Sequence, residues 1–385
     1  MSAMDRGTVS VRRITGDDGH YFYGYYDNAA WHASDKLHLC HRVQFWDRLP
    51  GPDDRAELGI LDLQGGFRTV AETMAWNFQQ GSMLQWHPGS PEDEIIYNTR
   101  ENGRFAGVRL NIRTGARQLL DRPVANVDAA GKYALSISFE RMFDFRPGYG
   151  YAGIKDPNFD SNHPADDGVH LVDLATGASK LILSLDDIWR IIENYFHGQD
   201  RKILINHITF NTDGSRFLCL VRYFPREGEN WQTALITANT DGSDPYLLAD
   251  FGYASHYHWR DRDHILIHSS GQPTSLEGHQ LYLLKDKTRE VATVDTQFFL
   301  FDGHCSYSPD RQQILYDSYP GKDRMRQLLV YDLESRKGIR LGNFYSYPTA
   351  AGDIRCDLHP RWNRSGSAIS FDSSHEGHRS VYVID

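Results

Sequence analysis

The sequence predicts an all-β fold, a seven-bladed β-propeller, because of a repeated turn and a truncated final repeat. A polar turn between two apolar, strand-like segments recurs seven times in the 385 residues. The copies are HASD (32–35), SPED (90–93), DAAG (128–131), NTDG (211–214), RDRD (260–263), SPDR (308–311) and NRSG (363–366). Four-stranded units that repeat at roughly 40–50 residues are typical of propeller blades.

A second turn follows most of these units after a further strand. Its six copies are DLQGG (62–66), NIRTG (111–115), DLATG (173–177), NTDG (239–242), KDKT (285–288) and DLES (332–335). Each unit therefore consists of strand A, a turn, strand B, a top loop, strand C, a turn and strand D. We predict that residues 1–385 form one propeller domain.

The seventh unit stops one strand short. It ends at VYVID (381–385), which corresponds to its third strand. The N-terminal segment VSVRRI (9–14) has the pattern of a strand and can supply the missing fourth one. We expect this strand to close the last blade, which leaves no long free sheet edge.

Two insertions interrupt the third unit. Residues 139–168 form a long loop rich in Gly and Tyr between strands B and C, and residues 184–203 follow the same blade. The second insertion has helical spacing, with Ser184 or Asp186 as its cap and Gly198 at its end. Long loops in compact folds usually cover functional sites. The alternative is that both only pad the edge of a blade.

Composition narrows the class of protein. The formal net charge is −10 and no basic stripe is present, which argues against a nucleic-acid partner. No segment approaches the ~18 apolar residues of a membrane span, so we expect no membrane partner. The four cysteines lie far apart in apolar segments, and we predict buried free thiols in a cytoplasmic protein. The hydrolase G-x-S-x-G elbow, the P-loop and the dinucleotide fingerprint are all absent.

Four histidines share one register. His207, His256, His304 and His359 each begin an H-x-x-aromatic segment before the A–B turn of consecutive blades. Because strand A is innermost, we expect their side chains to lie on one arc around the channel. Such imidazoles can bind a metal or act as a base near neutral pH. Asp357 is a further candidate ligand, and the alternative for each histidine taken alone is a purely structural role.

Arginines and rim aromatics suggest a sugar acid as the ligand. Arginines at the ends of strand B predict a cationic arc that could bind carboxylates, and the alternative is surface ion pairing. The arginines are Arg42, Arg100, Arg141 and Arg222. Aromatic side chains beside amides are typical of sugar platforms, and their alternative is packing between blades. The predicted rim residues are Tyr25, Asn28, Gln79, Gln80, Tyr149 and Tyr151.

The segments from residue 200 to the C-terminus resemble the oligogalacturonate lyases, seven-bladed propeller enzymes among the TolB/WD40-like propellers. The matching segments are NHITFNTDGSRFLCL, TANTDGS, SHYHW, GHCSYSPD and CDLHPRWNRSGSAISFDSSHEG. The resemblance implies a divalent metal, typically manganese, held by histidines and a glutamine. His304 and His359 are similar to two of those ligands, and His256 is similar to the active-site histidine.

The sequence also departs from that family. The family's H-P-H-P motif reads Asp357-Leu358-His359-Pro360, so an aspartate replaces one histidine ligand. The glutamine ligand falls near Ile354 or Arg355, and the catalytic arginine falls near Ala234. Residues before blade 4 do not match closely, which suggests a separate branch with its own substrate.

These observations predict a lyase that cleaves a uronic-acid-containing oligosaccharide by β-elimination. A metal on His304, His359 and Asp357, with Mn expected and Ca or Zn as alternatives, would act with Arg222 to neutralise the carboxylate. His256 or His207 would be the base, and Tyr149 or Tyr151 the acid. The alternatives are a glycoside hydrolase or other metal-dependent sugar enzyme, and a non-catalytic TolB-like interaction propeller.

Overall fold

The computed structural model describes residues 10–270, 279–349 and 352–385, and these form a β-propeller, as the sequence predicts. The chain begins with β1 (Val11–Arg13) and then builds three four-stranded antiparallel sheets. The first contains β2 (His20–Phe22), β3 (Leu37–Val43), β4 (Ala56–Asp62) and β5 (Phe67–Thr73). The second contains β6 (Gln85–Trp86), β7 (Glu94–Glu101), β8 (Arg104–Asn111) and β9 (Arg117–Leu119). The third contains β10 (Asn126–Val127), β11 (Tyr133–Ser136), β12 (Gly168–Asp173) and β13 (Ser179–Ser184).

A seven-stranded sheet follows, and one long strand continues through its middle. The sheet contains β14 (Ile203–Phe210), β15 (Arg216–Tyr223), β16 (Thr233–Asn239), β17 (Tyr246–Trp259), β18 (His264–Ser270), β19 (Gln280–Lys285) and β20 (Val291–Thr293). The first part of β17 pairs with β16, and its second part pairs with β18. The predicted count of seven blades requires this sheet to be two blades joined through β17, and that count stays a prediction.

The last two sheets complete the ring. One contains β21 (Cys305–Tyr307), β22 (Gln313–Asp317), β23 (Met325–Asp332) and β24 (Lys337–Tyr345). The other contains β25 (Arg361–Trp362), β26 (Ile369–Ser373), β27 (Ser380–Ile384) and the N-terminal β1. Val11 lies opposite Ile384 and Arg13 lies opposite Tyr382. The N-terminal strand therefore closes the last sheet, as predicted.

Helical structure is concentrated in the two insertions. Helix α1 (Phe139–Phe145) lies between β11 and β12, and helix α2 (Leu185–Ile192) follows β13. Ser184 caps α2, because its hydroxyl accepts from the Asp187 N–H while the Asp187 carboxylate accepts from the Ser184 N–H. The described residues also contain two short 3-10 helices, Glu193–Phe196 and Gly352–Ile354. No helix within the described parts of the chain is both long and apolar enough to cross a bilayer.

The aromatic residue of each histidine segment packs between sheets. Phe210, Trp259 and Tyr307 are buried in three different apolar clusters, and Trp362 packs against a fourth. Burial of these rings holds the start of each inner strand in place, which positions the histidine three residues earlier. The four cysteines are buried and unpaired, as predicted.

The segment after β1 offers a test of the closure. Ile14 is buried, and its N–H donates to the Val381 carbonyl (3.0 Å), whereas Val11 is exposed. Ile14→Ala should lower the free energy of unfolding by about 2–5 kcal/mol through lost packing. Val11→Ala should change it by less than about 0.5 kcal/mol. Denaturant titration of both variants measures this, and equal effects would contradict the proposed role of the closing segment.

Candidate active site

Local irregularities in two strands aim the first two histidines. In β14 the pairing shifts by one residue between Ile205 and His207, and in β17 it shifts between Ala254 and Tyr257, around His256. Such bulges bend a strand and redirect its side chains. His304 directly precedes β21, and His359 lies two residues before β25 with a φ of 42°.

The structure brings three of the four predicted histidines into one contiguous group and places the fourth beside it. The ring centroids of His256 and His304 are 3.9 Å apart, and those of His304 and His359 are 4.2 Å apart. The Tyr25 ring joins His207 to this group, with centroid distances of 4.8 Å to His207 and 5.3 Å to His359. We call the four histidines the histidine cluster, and all four side chains are buried.

Three of these imidazoles are each held by a different buried carboxylate. Asp27 lies 2.9 Å from His207 Nε2, and Asp302 lies 3.2 Å from His256 Nδ1. Both oxygens of Asp317 lie 3.0 Å from His304 Nδ1. A carboxylate at one ring nitrogen fixes the tautomer and the ring orientation, which leaves the opposite nitrogen available.

The predicted metal ligands converge. Donor atoms of His304, Asp357 and His359 all lie within 4.8 Å of one another, and the two histidine Nε2 atoms are 3.1 Å apart. Burial lowers the pKa of His359 well below its usual value, and His304 adds to this effect. Burial also lowers the pKa of His256 to about 4, again with a contribution from His304. Both imidazoles are therefore neutral and can accept a proton or bind a cation.

A cavity of about 500 Å³ lies beside the histidine cluster. Its wall carries four arginines and Tyr319, and we call it the arginine cavity. The arginines are Arg146, Arg324, Arg326 and Arg355. The Tyr319 hydroxyl lies 3.2 Å from His256 Nε2, which connects the cavity directly to the histidine cluster.

Arg355 organises this wall. Its guanidinium donates to the hydroxyls of Tyr149 (3.1 Å) and Tyr319 (3.2 Å) and lies 2.8 Å from Asp357 Oδ2. Arg326 lies 2.6 Å from Asp357 Oδ1. Burial alone would raise the pKa of Asp357, but Arg326 and Arg355 outweigh it and hold that pKa well below its usual range. The carboxylate is therefore ionised at any working pH.

Arg222 is buried without an acidic partner. It donates to the Asn206 side-chain oxygen (3.0 Å) and to the Thr233 hydroxyl (3.1 Å), and within the described ranges it forms no ion pair with a carboxylate. Burial lowers its pKa to about 10, and neighbouring Arg146 contributes. A buried guanidinium with only neutral partners is unfavourable on its own, so the site is suited to an anion.

Four predicted site residues lie elsewhere or serve other roles. Arg42 forms ion pairs with Asp18 and Glu57, and Arg100 contacts Met74 and Asp53. Both guanidinium groups are thus already paired with carboxylates, and their role in substrate binding stays a prediction.

Arg141 and Tyr151 both belong to the interior. Arg141 binds Asp156 (3.0 Å) and donates to four backbone carbonyls around the insertion. Tyr151 stacks on Phe139 with ring centroids 4.3 Å apart, and its hydroxyl accepts from Asn98. Neither side chain is free to meet a substrate.

The remaining predicted rim residues lie near the site. Gln79 donates to the Asp353 and Arg355 carbonyls (3.0 Å each), and its oxygen accepts from the Tyr149 hydroxyl (3.5 Å). Gln80 is buried, and its carbonyl lies 2.8 Å from where a Cβ on Gly24 would be. Because Gly24 has a φ of 119°, only glycine allows this approach, which places Tyr25 beside the histidines.

Asn28 lies one residue beyond Asp27 and is buried. Within the described residues, neither its amide nitrogen nor its amide oxygen has a hydrogen-bond partner. Buried amides are normally satisfied, so this one is available to a ligand.

The sequence did not predict that five further residues are connected at this site. They are Tyr319, Arg326, Arg355, Asp302 and Asp317. Trp231 was missed as well, although it is exposed and lies over Arg222 at 5.9 Å. A usable signal was present in YDSYPG (316–321), where Asp317 and Tyr319 alternate at the end of a strand.

Two buried arginines provide a matched test of this electrostatic interpretation. Arg141→Met should lower the free energy of unfolding by about 3–5 kcal/mol, because it leaves the Asp156 carboxylate buried and unpaired. Arg222→Met should leave it unchanged or raise it by up to about 1 kcal/mol, since no carboxylate loses a partner and a buried unpaired charge is removed. Denaturant unfolding measures both values, and a loss for Arg222→Met as large as that for Arg141→Met would contradict the interpretation.

Comparison with known proteins gives the fold. No family model and no curated protein sequence matches this chain. A crystal structure of oligogalacturonate lyase from Vibrio parahaemolyticus is similar, with a TM-score of 0.67 and 14% identity over 100% of this chain and 96% of that chain. An oligogalacturonate lyase in complex with manganese is equally similar, covering 95% of its chain. The tricorn protease matches with a TM-score of 0.56 and 12% identity, over 98% of this chain and 34% of that chain. The chain thus shares the propeller fold of the oligogalacturonate lyases, as its sequence motifs suggested.

Proposed function

We propose that this protein is a lyase that cleaves a uronic-acid-containing oligosaccharide by β-elimination in the arginine cavity. The observation that carries the proposal is the contact between an anion-binding wall and neutral imidazoles. Four arginines line the cavity, Arg222 lies next to Arg146 without a carboxylate partner, and Tyr319 joins the wall to His256. The fold shared with the oligogalacturonate lyases supports the same reaction class.

The reaction needs a neutralised carboxylate, a base and a proton donor. Arg222 and the cavity arginines would bind the uronate carboxylate, which acidifies the proton on the adjacent carbon. His256 suits the base, because Asp302 holds Nδ1 and Nε2 faces the cavity wall. His207 is less suited, since its Nε2 is occupied by Asp27. Two hydroxyls beside Arg355, those of Tyr149 and Tyr319, are candidate proton donors.

The residues of the predicted metal centre fit a divalent transition ion. His304 and His359 would hold it through Nε2, and Asp357 through its carboxylate. When bound, such an ion would act as a Lewis acid toward the substrate carboxylate. Two imidazole donors favour Mn or Zn over Ca, which takes about six to eight oxygen ligands. The Asp317 carboxylate behind His304 matches the outer contact that metal-binding histidines usually make.

A glycoside hydrolase is less well supported. Such enzymes usually need two carboxyl groups free to act as acid, base or nucleophile. The carboxylates around the histidine cluster are Asp27, Asp302, Asp317 and Asp357, and each is bound to a histidine or an arginine. Within the described residues, this leaves no evident acid and base pair for hydrolysis.

The first test is formation of an unsaturated product. Untagged protein mixed with uronate oligosaccharides should give a rise in ultraviolet absorbance, and His256→Ala should lower kcat by about 10²–10⁴-fold. Arg222→Met should lower kcat/KM by about 10²–10³-fold through lost charge stabilisation. His32→Ala, on a surface turn, is the matched control with unchanged activity. No absorbance change with any uronate would contradict the lyase proposal.

The second test concerns the metal. Isothermal titration of chelator-treated protein with manganese chloride or zinc chloride should give one site per chain. His304→Ala and His359→Ala should each weaken binding by at least about tenfold, since each removes one of three ligands. His32→Ala should bind like the unaltered protein. Equal binding by all the variants would contradict a metal centre at these residues.

A further inference from the structure

The basic nitrogen of His256 and the hydroxyl of Tyr319 lie side by side. His256 Nε2 is 3.2 Å from the Tyr319 oxygen, and Asp302 at Nδ1 keeps the proton on that nitrogen, so that Nε2 is the acceptor. Tyr319 lines the arginine cavity, and Arg355 donates to its hydroxyl. A proton acceptor and a proton donor are thus within one hydrogen bond of each other, with Tyr319 in the cavity wall and His256 buried directly behind it.

This adjacency limits the geometry of an elimination. The reaction removes a proton from the carbon beside the carboxylate and an oxygen from the next carbon of the same ring. When the proton and the oxygen leave from opposite faces, the base and the acid must stand on opposite sides of the sugar. When both leave from one face, base and acid must be neighbours, as His256 and Tyr319 are. Spacing between two catalytic groups predicts stereochemistry by the same logic in glycosidases.

The ring stereochemistry of uronates then selects a substrate class. In 4-linked glucuronate and mannuronate, the departing proton and oxygen lie on the same face of the ring. In galacturonate, guluronate and iduronate they lie on opposite faces. A substrate can react only when its atoms meet both catalytic groups in near-attack positions.

We propose that His256 and Tyr319 are a same-face base and acid, and that the substrate is a 4-linked glucuronate or mannuronate oligosaccharide. This inference rests on the proposed lyase function and names the substrate of that site. It departs from galacturonate, the sugar named for the structurally similar enzymes.

The proton and electron balance closes within the pair. With substrate bound, the Tyr319 hydroxyl turns from Nε2 toward the glycosidic oxygen, which frees Nε2. His256 takes the proton beside the carboxylate, and the released electron pair forms the carbon–carbon double bond. The bond from the ring carbon to the glycosidic oxygen breaks, and that oxygen receives the Tyr319 proton. His256 then returns its proton to the Tyr319 oxygen across the 3.2 Å contact, which restores both groups.

A substrate panel tests the stereochemical claim. Oligosaccharides of glucuronate, mannuronate, galacturonate and guluronate are incubated with the full-length protein, and unsaturated product is measured by absorbance and mass. Product from glucuronate or mannuronate, with at least about hundredfold lower kcat/KM on the other two, is expected. Product from galacturonate or guluronate alone overturns this inference and leaves the lyase function standing. No product from any oligosaccharide overturns both.

Variants test the role of the hydroxyl. Tyr319→Phe should lower kcat by about 10²–10⁴-fold on the preferred oligosaccharide. It should retain activity on a uronate whose leaving group is fluoride, because fluoride departs without a proton. Tyr246→Phe removes a hydroxyl whose hydrogen bond among the described residues is to the Thr288 carbonyl, and it is the matched control. Thermal unfolding of Tyr319→Phe establishes that it is folded. Equal losses on both substrates, or unchanged activity, overturn the assignment of Tyr319 as the acid.

Discussion

One buried carboxylate sets the geometry on which the site depends. Asp317 accepts from the His304 side chain (3.0 Å), from the His304 N–H (2.7 Å) and from the His359 N–H (3.2 Å). It therefore ties the start of one sheet to the start of the next. Because the same oxygens fix the His304 ring, the Nε2 atoms of His304 and His359 face each other. Without Asp317, the segments that carry His304 and His359 would lose the carboxylate that both of them bind.

Carboxylate–histidine pairs recur around the histidine cluster, but the carboxylates bind different ring nitrogens. Asp302 binds His256 through Nδ1 and leaves Nε2 toward the cavity, whereas Asp27 binds His207 through Nε2. Which nitrogen the carboxylate takes decides which nitrogen can meet a substrate. Similar histidines in the same sequence register are thus placed in different roles by partners from distant parts of the chain.

The sequence predicted the features that depend on repetition. Blade-like units, the closing N-terminal strand and the four histidines all follow from a fixed register, and His304, Asp357 and His359 do converge. The roles of the arginines were harder to predict, because their register along strand B differs from blade to blade. A shift of one residue in a strand moves a side chain to the other face. Arg222 accordingly lies at the site while Arg42 pairs with Asp18 and Glu57 on the surface.

Residues outside the repeat could not be located from sequence alone. Tyr319 and Arg355 come from loops of adjacent units, and only the folded chain brings the Arg355 guanidinium to 3.2 Å from the Tyr319 hydroxyl. The two tyrosines predicted from the long insertion lie in different environments. Tyr149 reaches Gln79 and Arg355, whereas Tyr151, two residues later, is stacked in the core on Phe139.

The arginines in and near the cavity differ in whether a carboxylate pairs with them. Asp357 pairs with Arg326 and Arg355, and Asp353 pairs with Arg146, which reduces the repulsion among the three guanidinium groups of this wall. Arg222 has no such partner, and leaving it buried lowers stability relative to a neutral side chain of similar size. A fold retains that cost where a ligand supplies the missing charge. Under the proposed function, Arg222 rather than the paired arginines would therefore hold the substrate carboxylate.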